Sequence, residues 1–233
     1  MNCDFSGGQI LLIDKPKDWT SFDVVAKVRN LITKYTGQRV KVGHAGTLDP
    51  MATGLLILAT GKKTKMLQDL QSLDKEYIAT IKFGATTPSF DADTPIDKIY
   101  PVEHLTQELI EKTLKQFTGK QLQYPPKYSA KRLKGKRAYD LARKGKDFEL
   151  KPVEIEIKQI QILSLNLPTE LTLKLKVSKG TYIRAFARDL GFKLNTGAYL
   201  TFLRRTAIGQ YSVNEAITIS EFEHFISAQC SKN

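Results

Sequence analysis

Cysteine, histidine and tryptophan are scarce in this chain, at 2, 3 and 1 of its 233 residues. Cys3 and Cys230 stand at opposite ends, with no CxxC and no even set of spaced cysteines. That pattern argues against a disulfide framework or a zinc site and fits a reducing cytosol. His44, His104 and His224 are widely separated and have no ligand-spaced partners, so no metal site is expected. Long apolar runs are missing too. Ile10 to Ile13 gives way to Asp14, Lys15 and Pro16, too short for a signal sequence, and nothing approaches the ~20 apolar residues of a membrane span. There is no internal repeat, no low-complexity linker, and no GxSxG or Cys/His signature of acyl transfer. Gly61, Lys62, Lys63 and Thr64 come after a strand as a phosphate loop would. Leu56 stands where a Walker motif requires Gly, however, and Lys63 where it requires Ser or Thr.

Acidic residues are the last shortage: 24 Asp and Glu face 36 Lys and Arg, a formal charge of +12. Such a surplus makes a polyanion, nucleic acid first, the expected partner, because clustered cations release condensed counterions when they meet phosphates. The 41% of apolar residues is enough for an ordinary core. A chain of this size buries about 70% of its unfolded surface, which rules out disorder as its main state.

The periodicity predicts strands at Gln9–Asp14, Leu55–Ala59 and Glu76–Phe83, and a helix whose stripe is Val24, Val25, Val28, Leu31 and Ile32, with Gly37 beyond its end. A second helix carries Leu109, Ile110, Leu114 and Phe117 and closes at Gly119. Alternation with period two from Val153 to Leu165 and from Leu171 to Val177 predicts two more strands. After Gly180 the period becomes helical through Ile183, Ala187, Leu190 and Leu194. Ser220 with Glu223 forms a capping pattern for a short final helix. Strands in irregular order with helices imply an α+β fold, a mixed, mostly antiparallel sheet flanked by helices.

Between Lys127 and Lys151 ten basic residues meet three acids, a net +7 in 25 residues, with Tyr124, Tyr128, Tyr139 and Phe148 interleaved. The aromatics offer bases a stacking surface while the cations meet the backbone; the bland alternative is a solvated charged face. Two other stretches could carry chemistry. In VGHAGTLDPMATGLLIL, Val42 to Leu58, Asp49 sits on a glycine- and proline-constrained loop that leads into a buried strand. An Asp merely making a turn next to Pro is the competing reading. In SKGTYIRAFARDL, Ser178 to Leu190, Arg184 and Arg188 lie one helical turn apart, and either could hold and aim a carboxylate.

Taken together, GHAGTLDPMATGLL, DKEY (Asp74–Tyr77), PPKYSA (Pro125–Ala130), GKRAYDLAR (Gly135–Arg143), KGTYIR (Lys179–Arg184) and YLTFLRR (Tyr199–Arg205) resemble the TruB family of tRNA pseudouridine synthases, in that family's order and over most of the chain. The resemblance implies the pseudouridine synthase fold as one catalytic domain over residues 1–233, with a basic RNA-binding insertion at about 125–151 and no C-terminal PUA domain. It implies isomerisation of uridine 55 in the T-loop of tRNA on a flipped-out nucleotide. Asp49 would be the nucleophile, Tyr77 the platform for the base, and Arg184 the partner of Asp49. Tyr182, Leu203 and Lys65 would support the pocket, and His44 would fill the place left by the extruded nucleotide. Asp91 is retained, although Thr87, Pro88, Ser89 and Phe90 precede it in place of the family's usual TDT, and Thr94 replaces a Gly. Lys131, Arg132, Lys136 and Arg137 would contact RNA. No cofactor or metal, no membrane and no obligatory protein partner is implied, only a cytoplasmic monomer acting on the T-arm. Two rivals stand beside this reading, a non-catalytic RNA-binding protein and a glycoside hydrolase. The latter would want two carboxylates flanking one bond.

Overall fold

The structure, a computed structural model, describes residues 3–129, 132–133, 136–138, 141 and 148–230. The chain divides into two compact units: Met1–Tyr77 with Leu203–Asn233, and Ile78–Phe202. Two strands, β4 (Lys75–Phe83) and β12 (Ala198–Ile208), run through both.

In the first unit, β1 (Ile10–Lys15) lies antiparallel to β3 (Thr53–Thr60), with Ile10 opposite Ala59 and Lys15 opposite Gly54. The other edge of β3 is shared. Near its end it takes β2 (Val42–His44) antiparallel, and at its start it takes β12 in parallel, Arg204 opposite Thr53 and Arg205 opposite Gly54. β3 is buried on both faces, which explains its continuous apolar sequence. Leu56 and Leu58 face a core formed by Phe5, Leu11, Ile13, helix α1 (Ser21–Thr36) and the final helix, here α5 (Ile219–Gln229); Leu55 and Ile57 face Ala45, Leu70 and Ile208.

Helix α1 starts at a reciprocal cap, in which Thr20 Oγ1 accepts from the Asp23 amide and the Asp23 carboxylate accepts from the Thr20 amide. It stops at Gly37, whose φ of 69° is left-handed. The final helix begins two residues earlier than its sequence suggests: the capping pair is Thr218 with Glu221, not Ser220 with Glu223. Ile217 is already extended, paired with β1 through Asp14 N–H to Ile217 O and Ile217 N–H to Leu12 O, so the helix can start at once.

A second expectation fails outright. Cys3 and Cys230 form a disulfide, their Cα atoms 5.4 Å apart. Separation along the chain says nothing about separation in space. Phe5, just after Cys3, packs edge-on against Phe222 of α5, 6.2 Å between ring centres, and this brings the two cysteines together.

In the second unit the strand order is β12, β4, β11 (Glu170–Val177), β10 (Val153–Asn166) and β7 (Gly119–Gln123). The β10–β11 and β10–β7 pairs are antiparallel. Alternation governs burial in β11, where Leu171, Leu173, Leu175 and Val177 are buried. Helices α3 (Gln107–Lys115) and α4 (Ile183–Lys193) meet where Phe117 and Phe186 stack edge-on at 5.1 Å. A short β5–β6 hairpin (Ala85–Thr86 with Lys98–Ile99) encloses the segment that holds Asp91. Of the basic insertion, Lys131 lies outside the described residues; Arg132 and Lys136–Arg137 appear as the facing strands β8 and β9.

Candidate active site

Asp49 lies in the first unit, half-buried, four residues before β3 begins. The turn that carries it is fixed from several sides. Ala52 N–H donates to Asp49 O at 3.0 Å, and Asp18 N–H to Pro50 O at 2.8 Å. The Ser21 hydroxyl, at the start of α1, accepts from Leu48 N–H at 2.9 Å and donates to Leu48 O at 3.2 Å.

Two buried cations complete the arrangement. Lys15, the last residue of β1, has no solvent exposure, and its ammonium donates to the carbonyls of Trp19 (2.6 Å), Pro16 (2.8 Å) and Pro50 (3.3 Å). Burial pulls its pKa down to about 8, while the negative charge of Asp49 acts the other way. Arg205, on β12, is 1% exposed and donates to Leu55 O (2.8 Å), Gly46 O (3.1 Å) and Thr47 O (3.5 Å). Gly54 is required where these elements meet: its φ is +103°, and a Cβ there would lie 2.3 Å from the Arg205 carbonyl oxygen. Beside it, Arg204 forms a two-pronged ion pair with Asp14, at 2.6 and 3.0 Å.

The other expected residues of this unit are spread over four elements. His44, on β2, is partly buried and its Nδ1 has no hydrogen-bond partner among the described residues; burial first, and then the charge of Arg205, push its pKa below the usual histidine range, against the backbone of Gly46. Tyr77 is buried on β4, one residue after Glu76, whose carboxylate accepts from the Thr206 hydroxyl of β12 at 2.7 Å. Leu203 is buried at the head of the same stretch of β12, and Lys65 is exposed on a single 3₁₀ segment, Gly61–Met66.

The second unit holds Asp91, Tyr182 and Arg184. Asp91 is almost wholly buried; it accepts from the Ser89 hydroxyl and from Asp93 N–H, while its own carbonyl accepts from Thr87 Oγ1 at 2.7 Å. The Thr94 hydroxyl stands 2.7 Å from that of Ser89, so this loop is closed by hydroxyl groups. The Arg184 guanidinium is buried with its Nε 3.3 Å from Asp91 Oδ2, and donates to Ser89 O (3.0 Å) and Tyr128 O (2.9 Å). One turn later Arg188 donates to Tyr124 O at 3.0 Å and lies over the Phe90 ring at 5.0 Å. Both arginines do point along one face, and each ties down a carbonyl at the entry to the basic insertion. Tyr182 stands just before α4 and is tied to β7 by a reciprocal pair, its N–H to Gln123 Oε1 (2.8 Å) and Gln123 Nε2 to its carbonyl (3.1 Å).

Sequence pattern alone assigns Lys15 no task and passes over Arg205. The available signal was position: in β12, Leu203 and Arg205 fall on the inward phase of the alternation, and an arginine there must find acceptors indoors. Among the described residues, no group of three or more His, Cys, Asp and Glu side chains could hold a metal ion, and no helix is long and apolar enough to cross a membrane.

Residues 33–183 match the model for the TruB family pseudouridylate synthase N-terminal domain, and residues 184–232 the model for the tRNA pseudouridylate synthase B C-terminal domain. A protein of Phocaeicola vulgatus called tRNA pseudouridine synthase B is 50% identical over 227 residues, 97% of this chain and 96% of that protein. One of the same name from Chloroherpeton thalassium is 50% identical over 222 residues, 95% of this chain and 91% of that protein. Among solved structures, a chain of an H/ACA RNP bound to a substrate RNA containing 2'-deoxyuridine aligns with a TM-score of 0.67 at 25% identity over 93% of this chain. A chain of a Cbf5-Nop10-Gar1 complex aligns at 0.70 and 24% over 95%. This chain spans about half the length of those two, 52% and 55%. With the Asp49 turn, the mixed sheet and matches of this extent in agreement, the chain belongs to the TruB family of tRNA pseudouridine synthases.

Proposed function

We propose that this protein isomerises uridine 55 in the T-loop of tRNA, with Asp49 as the nucleophile. The observation that supports the assignment best is the setting of Asp49: a carboxylate on a turn whose neighbouring carbonyls are held by Lys15, Ser21 and Arg205 is rigid enough to be aimed. The target uracil must first leave the RNA stack, at a cost of a few kcal/mol. Tyr77 stacks on it, an interaction of roughly 1–3 kcal/mol, which offsets much of that cost.

Attack of the carboxylate on the ribose C1′ breaks the N1–C1′ bond, N1 leaving with the electron pair; the freed uracil turns, its C5 bonds to C1′ as Asp49 departs, the C5 proton passes to solvent and N1 takes one up. Addition at uracil C6 and removal of a sugar proton would call on the same carboxylate. Every route ends by releasing the hydrogen of C5, and none needs a redox cofactor or group donor. Arg184 attends the carboxylate, Tyr182, Leu203 and Lys65 support the pocket, and His44 fills the gap in the RNA. The basic residues Lys131, Arg132, Lys136 and Arg137 serve RNA binding, and Asp91, buried beside Arg184, serves it only through the loop that it closes, the enzyme acting as a monomer without a protein partner.

The test uses tRNA tritiated at uracil C5. The wild-type protein is expected to release tritium, and Asp49→Asn to bind tRNA with similar affinity while release falls by more than ~10³-fold. Release by Asp49→Asn near the wild-type rate would remove Asp49 from the chemistry. An abasic site in place of tritium release would indicate a hydrolase, and tRNA binding with neither a simple RNA-binding protein.

A further inference from the structure

We infer that Arg205 is a positioning residue for the reaction, a buried guanidinium whose task is to hold the two arms of the Asp49 turn at a fixed separation. The inference rests on the reading of Asp49 as nucleophile. A guanidinium offers five N–H donors in a planar fork and stays charged under all ordinary conditions. At 1% exposure it would ordinarily be matched by a carboxylate, because an uncompensated buried charge is costly. Instead, among the described residues, the partners of Arg205 are main-chain oxygens: Gly46 and Thr47 before Asp49, and Leu55 after it.

Those acceptors identify the role. Nε reaches the strand side of the turn, while Nη1 and Nη2 reach the opposite arm, so one rigid plane spans both arms. The main chain of the same residue enters the ladder opposite Gly54, where no Cβ could fit against it. Backbone and side chain of a single residue thus fix both ends of the segment that presents the carboxylate. A lysine in its place donates its three N–H groups from one atom and lacks the planar fork that holds Leu55 O on one side and the Gly46 and Thr47 carbonyls on the other at a set separation. Misplacing a reacting group by about 1 Å costs on the order of 10²-fold in rate, whereas binding of a large RNA over a broad surface hardly depends on it.

The experiment compares Arg205→Lys, Arg205→Ala and Asp49→Asn in the full chain, measuring thermal unfolding, tRNA affinity and tritium release in a single turnover. Arg205→Lys is expected to remain folded and to bind tRNA within about threefold of wild type, while its rate per folded molecule drops by about 10²-fold. Millimolar guanidinium should restore part of the rate to Arg205→Ala and none to Asp49→Asn. If Arg205→Ala does not fold, Arg205→Lys decides alone. A folded Arg205→Lys with wild-type turnover, or a loss that merely tracks the folded fraction, overturns the proposal. Full activity in Asp49→Asn would instead overturn the reading of Asp49, whatever the arginine variants do.

Discussion

Lys15 is a buried cation whose pKa, pulled down to about 8 by burial, brings its charge into the range where pH changes it. Its three contacts use all three N–H groups of an ammonium, and a neutral amine has only two. As pH rises through about 8, Lys15 therefore loses both a strut of the Asp49 turn and the positive charge beside the carboxylate. Turnover is expected to fall across that range, and in Lys15→Met the descending limb should vanish, leaving a lower, flat profile; a limb unchanged in the variant would belong to another group. Stability should move the opposite way. The native pKa lies below the ordinary 10.5, so between about 8 and 10.5 the unfolded chain holds a proton that the folded one has released, and this residue's contribution to stability grows with pH. The constrained turn at Asp49 was legible because glycine and proline mark it in the sequence. Lys15 and Arg205 were not, since a cation's acceptors here are main-chain oxygens that no side-chain motif announces.

Elements whose two faces differ were readable from period alone. Helix α1 and strands β4, β10 and β11 stand close to where their patterns place them, because one face meets a core and the other does not. Strand β12 escaped notice: buried through Ala198–Leu200 and alternating only later, it has no single period. The start of α5 was ambiguous for a different reason. Thr218 with Glu221 and Ser220 with Glu223 are equally good caps, and the pairing of Ile217 with β1 decides between them, a long-range contact invisible to local pattern. Thr218→Ala is accordingly expected to cost about 1 kcal/mol in denaturant unfolding and Ser220→Ala only a few tenths. Equal losses would place the cap elsewhere. The two arginines of α4 carry a related lesson, since their carbonyl partners Tyr124 and Tyr128 connect the helix to the stem of the basic segment rather than to solvent.

For the molecule as a whole, charge speaks first. Neutralising Lys131, Arg132, Lys136 and Arg137 together is expected to weaken tRNA binding and to lower the slope of log affinity against log salt by about 3. An unchanged slope would take this segment out of the RNA interface. Composition and alternation were sufficient for the α+β class and for a polyanionic partner, but the cysteine reading failed because nothing in the order of residues says that the two ends meet. Nor did the sequence reveal that one compact unit is interrupted by the other. That interruption has a consequence for synthesis. Domains fold as units while the chain emerges from its amino end. The stretch Ile78–Phe202 is one continuous run of chain, whereas the portion bearing Asp49 waits for Leu203 and the residues beyond it. A polypeptide released prematurely would lack the strand that braces the Asp49 turn, so translation errors of this kind are expected to yield inert fragments rather than loosely controlled editors of RNA.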